Sequence, residues 1–282
     1  MKIIITGGNG MLGTTLRRRL TGHTLVVADL PEHDITDRNG FIDFVVSERP
    51  DTVIHCAAMT QVDNCESSPD LAWQLNAIGS RNVAEACAQV GAKCIAISTD
   101  YVFSGDLGRP YTELDATSPK TVYGKTKLAG EEFVREFAPN HIIARVAWLY
   151  GANGPSFVHT MINLARQGKT ELKVVADQFG NPTGATAVAQ ALQTLLERPE
   201  LVGTFHLTCE GEASWFEFAE AIFELSGIAM KVTPCTTEEF PRPAPRPKDS
   251  RLEKLMLREH ALPPMPHWRD TLAEFLRELP PA

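Results

Sequence analysis

Nothing in this sequence supplies a membrane span, a metal cage or a disulfide framework. No window reaches the ~20 apolar residues that a bilayer-crossing helix needs. The opening MKIIITGG breaks at glycine after three isoleucines, too few for the core of a signal peptide. The six cysteines (Cys56, Cys65, Cys87, Cys94, Cys209 and Cys235) form no C-x-x-C pair and no His/Cys set at zinc spacing. Buried free thiols in a reducing cytoplasm are the expectation. Positive charge is in deficit, with 27 Lys and Arg against 35 Asp and Glu, a net charge of −8. That balance argues against a nucleic-acid or membrane-surface role. What remains is a chain of 282 residues with ordinary globular composition, long enough for one large domain or two interlocked ones.

The first half alternates short apolar runs with longer helical patterns. KIIIT (2–6), TLVVAD (24–29), DTVIHCAA (51–58), KCIAIST (93–99) and HIIARVA (141–147) read as buried strands; 11–20, 38–48, 70–90 and 119–137 read as amphipathic helices. Regular strand–helix–strand succession predicts an α/β fold, a Rossmann-type doubly wound parallel sheet with ligands along the strand C-termini. The division expected is 1–147 for the dinucleotide-binding domain and 148–282 mainly for a smaller C-terminal lobe, with some segments returning to the core. In the second half, 184–197 and SWFEFAEAIFELSG read as helices, GTFHLT as a short strand and ELKVV as a strand before a turn. PCTTEEFPRPAPRPKDSRL is proline-rich and reads as irregular.

TGGNGMLG follows the first strand and spaces Gly7, Gly10 and Gly13 as G-x-x-G-x-x-G. A dinucleotide pyrophosphate must approach the backbone N–H groups that open the first helix, and a Cβ obstructs it. Gly7 and Gly10 give the turn and the close approach, and Gly13 the close helix–strand packing. Asp29 ends the next strand, where a carboxylate accepts from ribose hydroxyls and repels a 2′-phosphate. That favours NADH over NADPH, while Arg17, Arg18 and Arg19 work the other way. Asp34, with Ile35 beside it, is a second candidate near the adenine end.

SPKTVYGKTKLAG puts Tyr123 and Lys127 one helical turn apart. A Y-x-x-x-K pair alone proves little. Here it follows a dinucleotide loop, and Ser98 and Thr99 leave the fourth strand at the edge where nicotinamide would lie. Carbonyl reduction needs a hydride, a proton donor and a group to hold the carbonyl. Nicotinamide supplies the first and Tyr123 the second, its phenol drawn down from a pKa of ~10 by the Lys127 ammonium. Thr99 hydrogen-bonds the developing alkoxide.

With GGNGMLG, HCAAMTQVDNCES, STDYVFSG, Y-T-E-x-D, SPKTVYGKTKLAGE, RVAWLYG, DQFGNPTGA and RPKDSRL, the chain resembles the extended short-chain dehydrogenases and, within them, the dTDP-4-dehydrorhamnose reductases, nearly end to end. The resemblance implies reduction, with NADPH or NADH, of the 4-keto group of a dTDP-6-deoxyhexulose to dTDP-L-rhamnose. By family pattern Tyr123 donates the proton and Lys127 tunes it and binds the nicotinamide ribose. Thr99 stabilises the transition state, and Thr99 and Asp100 touch the sugar beside Trp148. Cys56, Ala57 and Ala58 line the cofactor, with Gly10, Met11 and Leu12 at the pyrophosphate. Family members can form homodimers, some around Mg²⁺, whose ligands do not map here. CAA stands for three alanines, Met11 for a frequent glutamine, Thr126 for a common serine, and RVAW for the usual RTSW. The last bears on sugar specificity.

Two rivals stay open: a reductase of another nucleotide-linked 4-ketosugar, and a non-catalytic NAD(P)-binding regulatory subunit. The cluster Arg242, Arg246, Lys248 and Arg251 reads either as a solvated loop or as a clamp for the nucleotide-sugar diphosphate, with Arg246 at its centre. The eight histidines read as structural, Trp215, Phe216 and Phe218 as core, and Asp63 and Glu66 as helix caps near Ser67 and Ser68.

Overall fold

Ile3, Ile4 and Ile5 show the organising principle of the molecule. Neighbouring strand residues face opposite sides of a sheet, yet all three are fully buried. Ile3 and Ile5 join one hydrophobic cluster with Leu12, Leu16 and Val188, whereas Ile4 joins another with Val53, Val83, Ile143 and Val134. A strand apolar on both faces requires helices on both, as in parallel sheets.

The computed structural model describes residues 1–279; the last three residues of the 148–282 assignment lie outside it. Strands β1 (Lys2–Thr6), β2 (Thr24–Ala28), β3 (Thr52–His55), β4 (Lys93–Thr99) and β5 (His141–Val146) form one sheet with a sixth strand, Gly203–His206. Its order is β2-β1-β3-β4-β5 and then Gly203–His206, parallel throughout. Thr6, His55, Thr99 and Val146 therefore end along one edge. Helices α1 (Met11–Arg19) and α2 (Arg38–Glu48) cover opposite faces, α1 beside Ala185–Leu196 and α2 beside Gly79–Val90, which in turn packs on Val122–Phe137. The sixth strand and Ala185–Leu196 come from beyond residue 148.

Several elements differ from the sequence reading. The helix expected over 70–90 is Pro69–Trp73, a π-turn at Gln74–Ile78, then Gly79–Val90, which ends at Gly91 with φ +70°. The helix expected from 119 starts at Val122, because Thr121 caps it by accepting from Gly124 N at 2.9 Å. The proline-rich stretch opens in a regular element, Lys231–Cys235, parallel to Glu171–Val175. That two-stranded pair leaves one edge of the strand unpaired, which accommodates Pro234.

Around these lie Phe157–Arg166, Trp215–Ser226 and Trp268–Glu278, with short pairings of Phe179–Gly180 to Ala213–Ser214 and of Leu149–Tyr150 to Thr183–Gly184. Glu113 of the Y-T-E-x-D motif fastens the segment at Leu255 to the sheet. Its carboxylate accepts from the backbone N–H of His206, Leu255 and Met256.

Candidate active site

The glycine loop crosses the sheet edge between β1 and α1. Gly7 sits at φ +61°, and a Cβ there would lie 2.8 Å from the N and Cα of Ala57. The loop thus presses against the segment that leaves β3 at Cys56. A Cβ on Gly13 would fall 2.4 Å from the Gly7 carbonyl and 2.6 Å from Gly8 Cα. At Gly10 it would meet only the Gly7 carbonyl, at 3.2 Å, so that side is open. Gly10 precedes α1 without a side-chain cap, which leaves the first N–H groups of Met11, Leu12 and Gly13 outside the helix ladder. Together with the helix dipole they suit a diphosphate.

Asp29 accepts from Asn9 N and Leu30 N, both at 2.9 Å, and Arg17 reaches Asn9 Oδ1 at 3.2 Å. The carboxylate thus braces the loop it borders. Asp34 is turned inward on its own turn, accepting from the N–H and hydroxyl of Thr36 at 2.8 Å. Ile35 is buried against Gly79.

A buried polar chain runs from this loop to the helix carrying Tyr123. Thr6 Oγ1 and His55 Nδ1 are 2.7 Å apart, and His55 Nε2 and Ser80 Oγ 3.0 Å. Ser80 donates to the Asn76 carbonyl, and Asn76 Nδ2 donates to Thr126 Oγ1 and the Met59 carbonyl, while Met59 N returns a bond to Asn76 Oδ1. These side-chain bonds fix the π-turn residue Asn76 between two segments of the site. Burial, helped by the charge of Lys127, lowers His55 to about 3, so it is neutral, in keeping with a structural role.

Thr99, Asp100, Tyr123 and Lys127 converge at the end of β4, all buried. The Thr99 hydroxyl lies close enough to the Tyr123 phenol to bear on its pKa. Thr99 Oγ1 also donates to Asp100 Oδ1 at 2.9 Å and accepts from Tyr101 N. Tyr101 meets Tyr123 edge to face at 5.5 Å. Burial pushes the Tyr123 phenol above its ordinary range; the Thr99 hydroxyl opposes this, and Asp100 and Cys65 add to it. The lowering expected from Lys127 is absent, since desolvation dominates and the ammonium is turned to the Ile97 carbonyl at 2.7 Å. Lys127 itself is lowered to about 8 by burial, with Glu131 and Cys56 opposing.

Asp100 is raised to about 6, again mainly by burial. Its Oδ2 has no partner at hydrogen-bond distance. The Ser250 hydroxyl, turned to the Phe179 carbonyl at 3.5 Å, opposes the rise from longer range. An orphaned buried acceptor at this position fits a sugar hydroxyl.

Behind Lys127, one turn further along its helix, Glu131 takes Ser98 Oγ at 2.6 Å, Arg145 Nε and Nη2 at 2.9 and 2.8 Å, and Arg135 Nη2 at 2.8 Å. The buried carboxylate thereby ties the helix to β4 and β5 on either side of the Thr99 position. Ser98 belongs to this support, not to the reacting face. No sequence motif announced it, although Glu131 closes the run that begins at Tyr123.

Trp148 follows β5, whose Val146 pairs with Thr99; it adopts φ +47° and stacks on Trp215. Trp215, expected in the core, is only half-buried, whereas Phe218 is fully enclosed. Arg246 donates to Asp63 Oδ2 and to the Ala244 carbonyl, both at 2.9 Å, so Asp63 is no helix cap. Its carboxylate pins the proline-rich loop, while Glu66 accepts from Val122 N at 2.8 Å. Arg251 is engaged by Asp249 and Glu212, and Arg242 lies over Phe240. Arg246 and Lys248 line a cavity of about 140 Å³ with Tyr101, Phe103 and Lys120.

Among the described residues no group of three His, Cys, Asp or Glu side chains could hold a metal ion. None of the described helices is long and apolar enough to cross a membrane.

A Rossmann sheet with this glycine loop and a Tyr–Lys pair on the helix after β4 defines an extended short-chain dehydrogenase/reductase. Residues 1–280 match the family model described as the RmlD substrate binding domain. The dTDP-4-dehydrorhamnose reductase of Escherichia coli K12 is 37% identical over 99% of this chain and 98% of its own. The solved dTDP-4-dehydrorhamnose reductase of Clostridium acetobutylicum superposes with a TM-score of 0.96 at 47% identity, covering 98% of this chain and 99% of that one. The Bacillus anthracis enzyme, solved with NADP, gives 0.96 at 42% identity over 99% of each. The chain belongs to the dTDP-4-dehydrorhamnose reductase family.

Proposed function

We propose that this chain reduces the 4-keto group of dTDP-4-dehydro-6-deoxy-L-mannose to give dTDP-L-rhamnose, with NADPH or NADH as hydride source. The observation that carries the reading is the convergence of Thr99, Tyr123 and Lys127 beside an open glycine loop, in a chain whose full length matches these reductases. The nicotinamide supplies the hydride when bound. A loop in which Gly10 is open and three α1 N–H groups point outward receives the diphosphate; Cys56 and Ala57 lie against that loop, and with Ala58 they line the cofactor. Asp29 borders the adenosine ribose, and Arg17 stands by for a 2′-phosphate.

The raised pKa of Tyr123 suits reduction. At neutral pH the buried phenol keeps its proton, the form a donor to the carbonyl oxygen requires. Thr99, beside Tyr123 at the end of β4, shares the charge that develops on that oxygen. Lys127, one turn away and held by the Ile97 carbonyl, takes the nicotinamide ribose. Asp100, with its unpartnered Oδ2, and Trp148 orient the sugar.

Arg246 serves the substrate diphosphate from the cavity it shares with Lys248, exchanging Asp63 for phosphate oxygens. Residues 1–147, with the returning Ala185–Leu196 and Gly203–His206, bind the cofactor, and 148–282 mainly the sugar nucleotide. Six free cysteines suit a reducing cytoplasm, and a homodimer is the assembly to test by sedimentation.

The test is NAD(P)H consumption with the dTDP-4-keto-6-deoxysugar. Binding of cofactor without turnover would support the regulatory-subunit alternative and overturn this reading.

A further inference from the structure

Trp148 is one of three non-glycine residues at positive φ among the described residues, the others being Arg49 and Ala261. A bulky residue in that conformation is strained and persists only where its surroundings fix it. Two contacts do so. The Trp148 indole lies face to face on Trp215, with ring centroids 3.5 Å apart and planes within 4°. Against the same indole packs Gly180, where a Cβ would stand 2.5 to 2.8 Å from Cε2, Nε1 and Cζ2 of Trp148. Only glycine leaves that room.

Both contacts are set by one antiparallel pairing, Ala213 to Gly180 and Ser214 to Phe179, which brings the residue before Trp215 alongside the glycine. Trp215 has its own anchor. Ser214 and Glu217 form a reciprocal capping box that fixes the first turn of Trp215–Ser226, and Phe157 packs on the Trp215 ring with centroids 4.7 Å apart. Trp215 remains half-buried, so its ring is more than core filling.

We infer that Trp215 and Gly180 form a clamp that holds Trp148 as a wall of the sugar subsite, which makes Trp215 a positioning residue for the sugar nucleotide. The inference rests on the reading of Trp148 as a sugar contact. An aromatic wall suits the apolar face and methyl group of a 6-deoxysugar, and a wall free to swing selects neither.

The experiment is steady-state kinetics of Trp215→Ala, Trp215→Phe, Gly180→Ala and Trp148→Ala with the dTDP-4-keto-6-deoxysugar and NADPH. Trp215→Ala should raise KM for the sugar nucleotide roughly two- to tenfold, the equivalent of one lost aromatic stack. KM for NADPH should stay fixed, and Trp215→Phe should restore part of the loss. Gly180→Ala, which pushes the indole from the other side, should reproduce the effect, and it decides the matter if Trp215→Ala does not fold. A raised KM in Trp148→Ala with unchanged KM in the Trp215 and Gly180 variants would overturn the clamp alone. An unchanged KM in Trp148→Ala would overturn the sugar-wall reading and the clamp with it.

Discussion

Lys127 Nζ donates to the carbonyl of Ile97 over 2.7 Å, two residues before Thr99 on the same strand. The bond fixes the ammonium at the strand end, where it faces His55, Cys56 and, on its own helix, Glu131. Burial lowers Lys127 from 10.5 to about 8. The side chain therefore loses its charge as pH rises through about 8, and kcat/KM should fall over that range. Glu131→Gln removes the carboxylate that favours the ammonium and should move this alkaline limb to lower pH. A profile flat up to the ordinary lysine range would contradict the assignment.

Tyr123→Phe deletes the proposed proton donor and leaves the fold of the loop alone. It should lower kcat by about 10²–10⁴ with cofactor affinity intact, as measured by fluorescence titration of NADPH. Thr99→Val should cost about 10²–10³ in kcat, as for the loss of one oxyanion donor.

Gly10 and Gly13 share a motif and differ in what surrounds them. Gly13→Ala places a Cβ 2.4 Å from a backbone carbonyl, so thermal unfolding should show a loss of about 1–3 kcal/mol or more. Gly10→Ala meets one contact at 3.2 Å. It should keep near-native stability and lose cofactor affinity.

His55 and His206 are both buried and lowered from 6.5 to about 3, by desolvation first, then by Lys127 for His55 and by Arg145 for His206. Above pH 6.5 both imidazoles are neutral in the folded and unfolded chain, and their contribution to stability is complete. Between 6.5 and 3 the unfolded chain binds protons that the native one refuses, so stability falls with pH. Denaturant midpoints across that window should drop, and His55→Gln should flatten the slope.

The glycine loop, the strand ends and the Tyr–Lys pair were legible in the sequence because each depends on short-range spacing. The rest depends on partners distant in the chain. Arg246 meets Asp63 across 183 positions, and nothing local distinguishes that bond from a solvated loop. The π-turn at Gln74–Ile78 follows from Asn76 bonding to Met59 and Thr126. Pro234 reads as a breaker until its strand is seen beside Glu171–Val175. The direction of the Tyr123 shift is hidden for the same reason: a neighbouring ammonium is visible in the spacing, whereas desolvation of the phenol is a tertiary property.

Incubating the protein with dTDP-4-dehydro-6-deoxy-L-mannose and NADPH or NADH, following cofactor absorbance and identifying the product by NMR, tests the reductase activity itself. Stoichiometric oxidation of the cofactor with formation of dTDP-L-rhamnose, abolished in Tyr123→Phe, is the expected result. Cofactor binding without oxidation, or a product with a different configuration at C4, would contradict it.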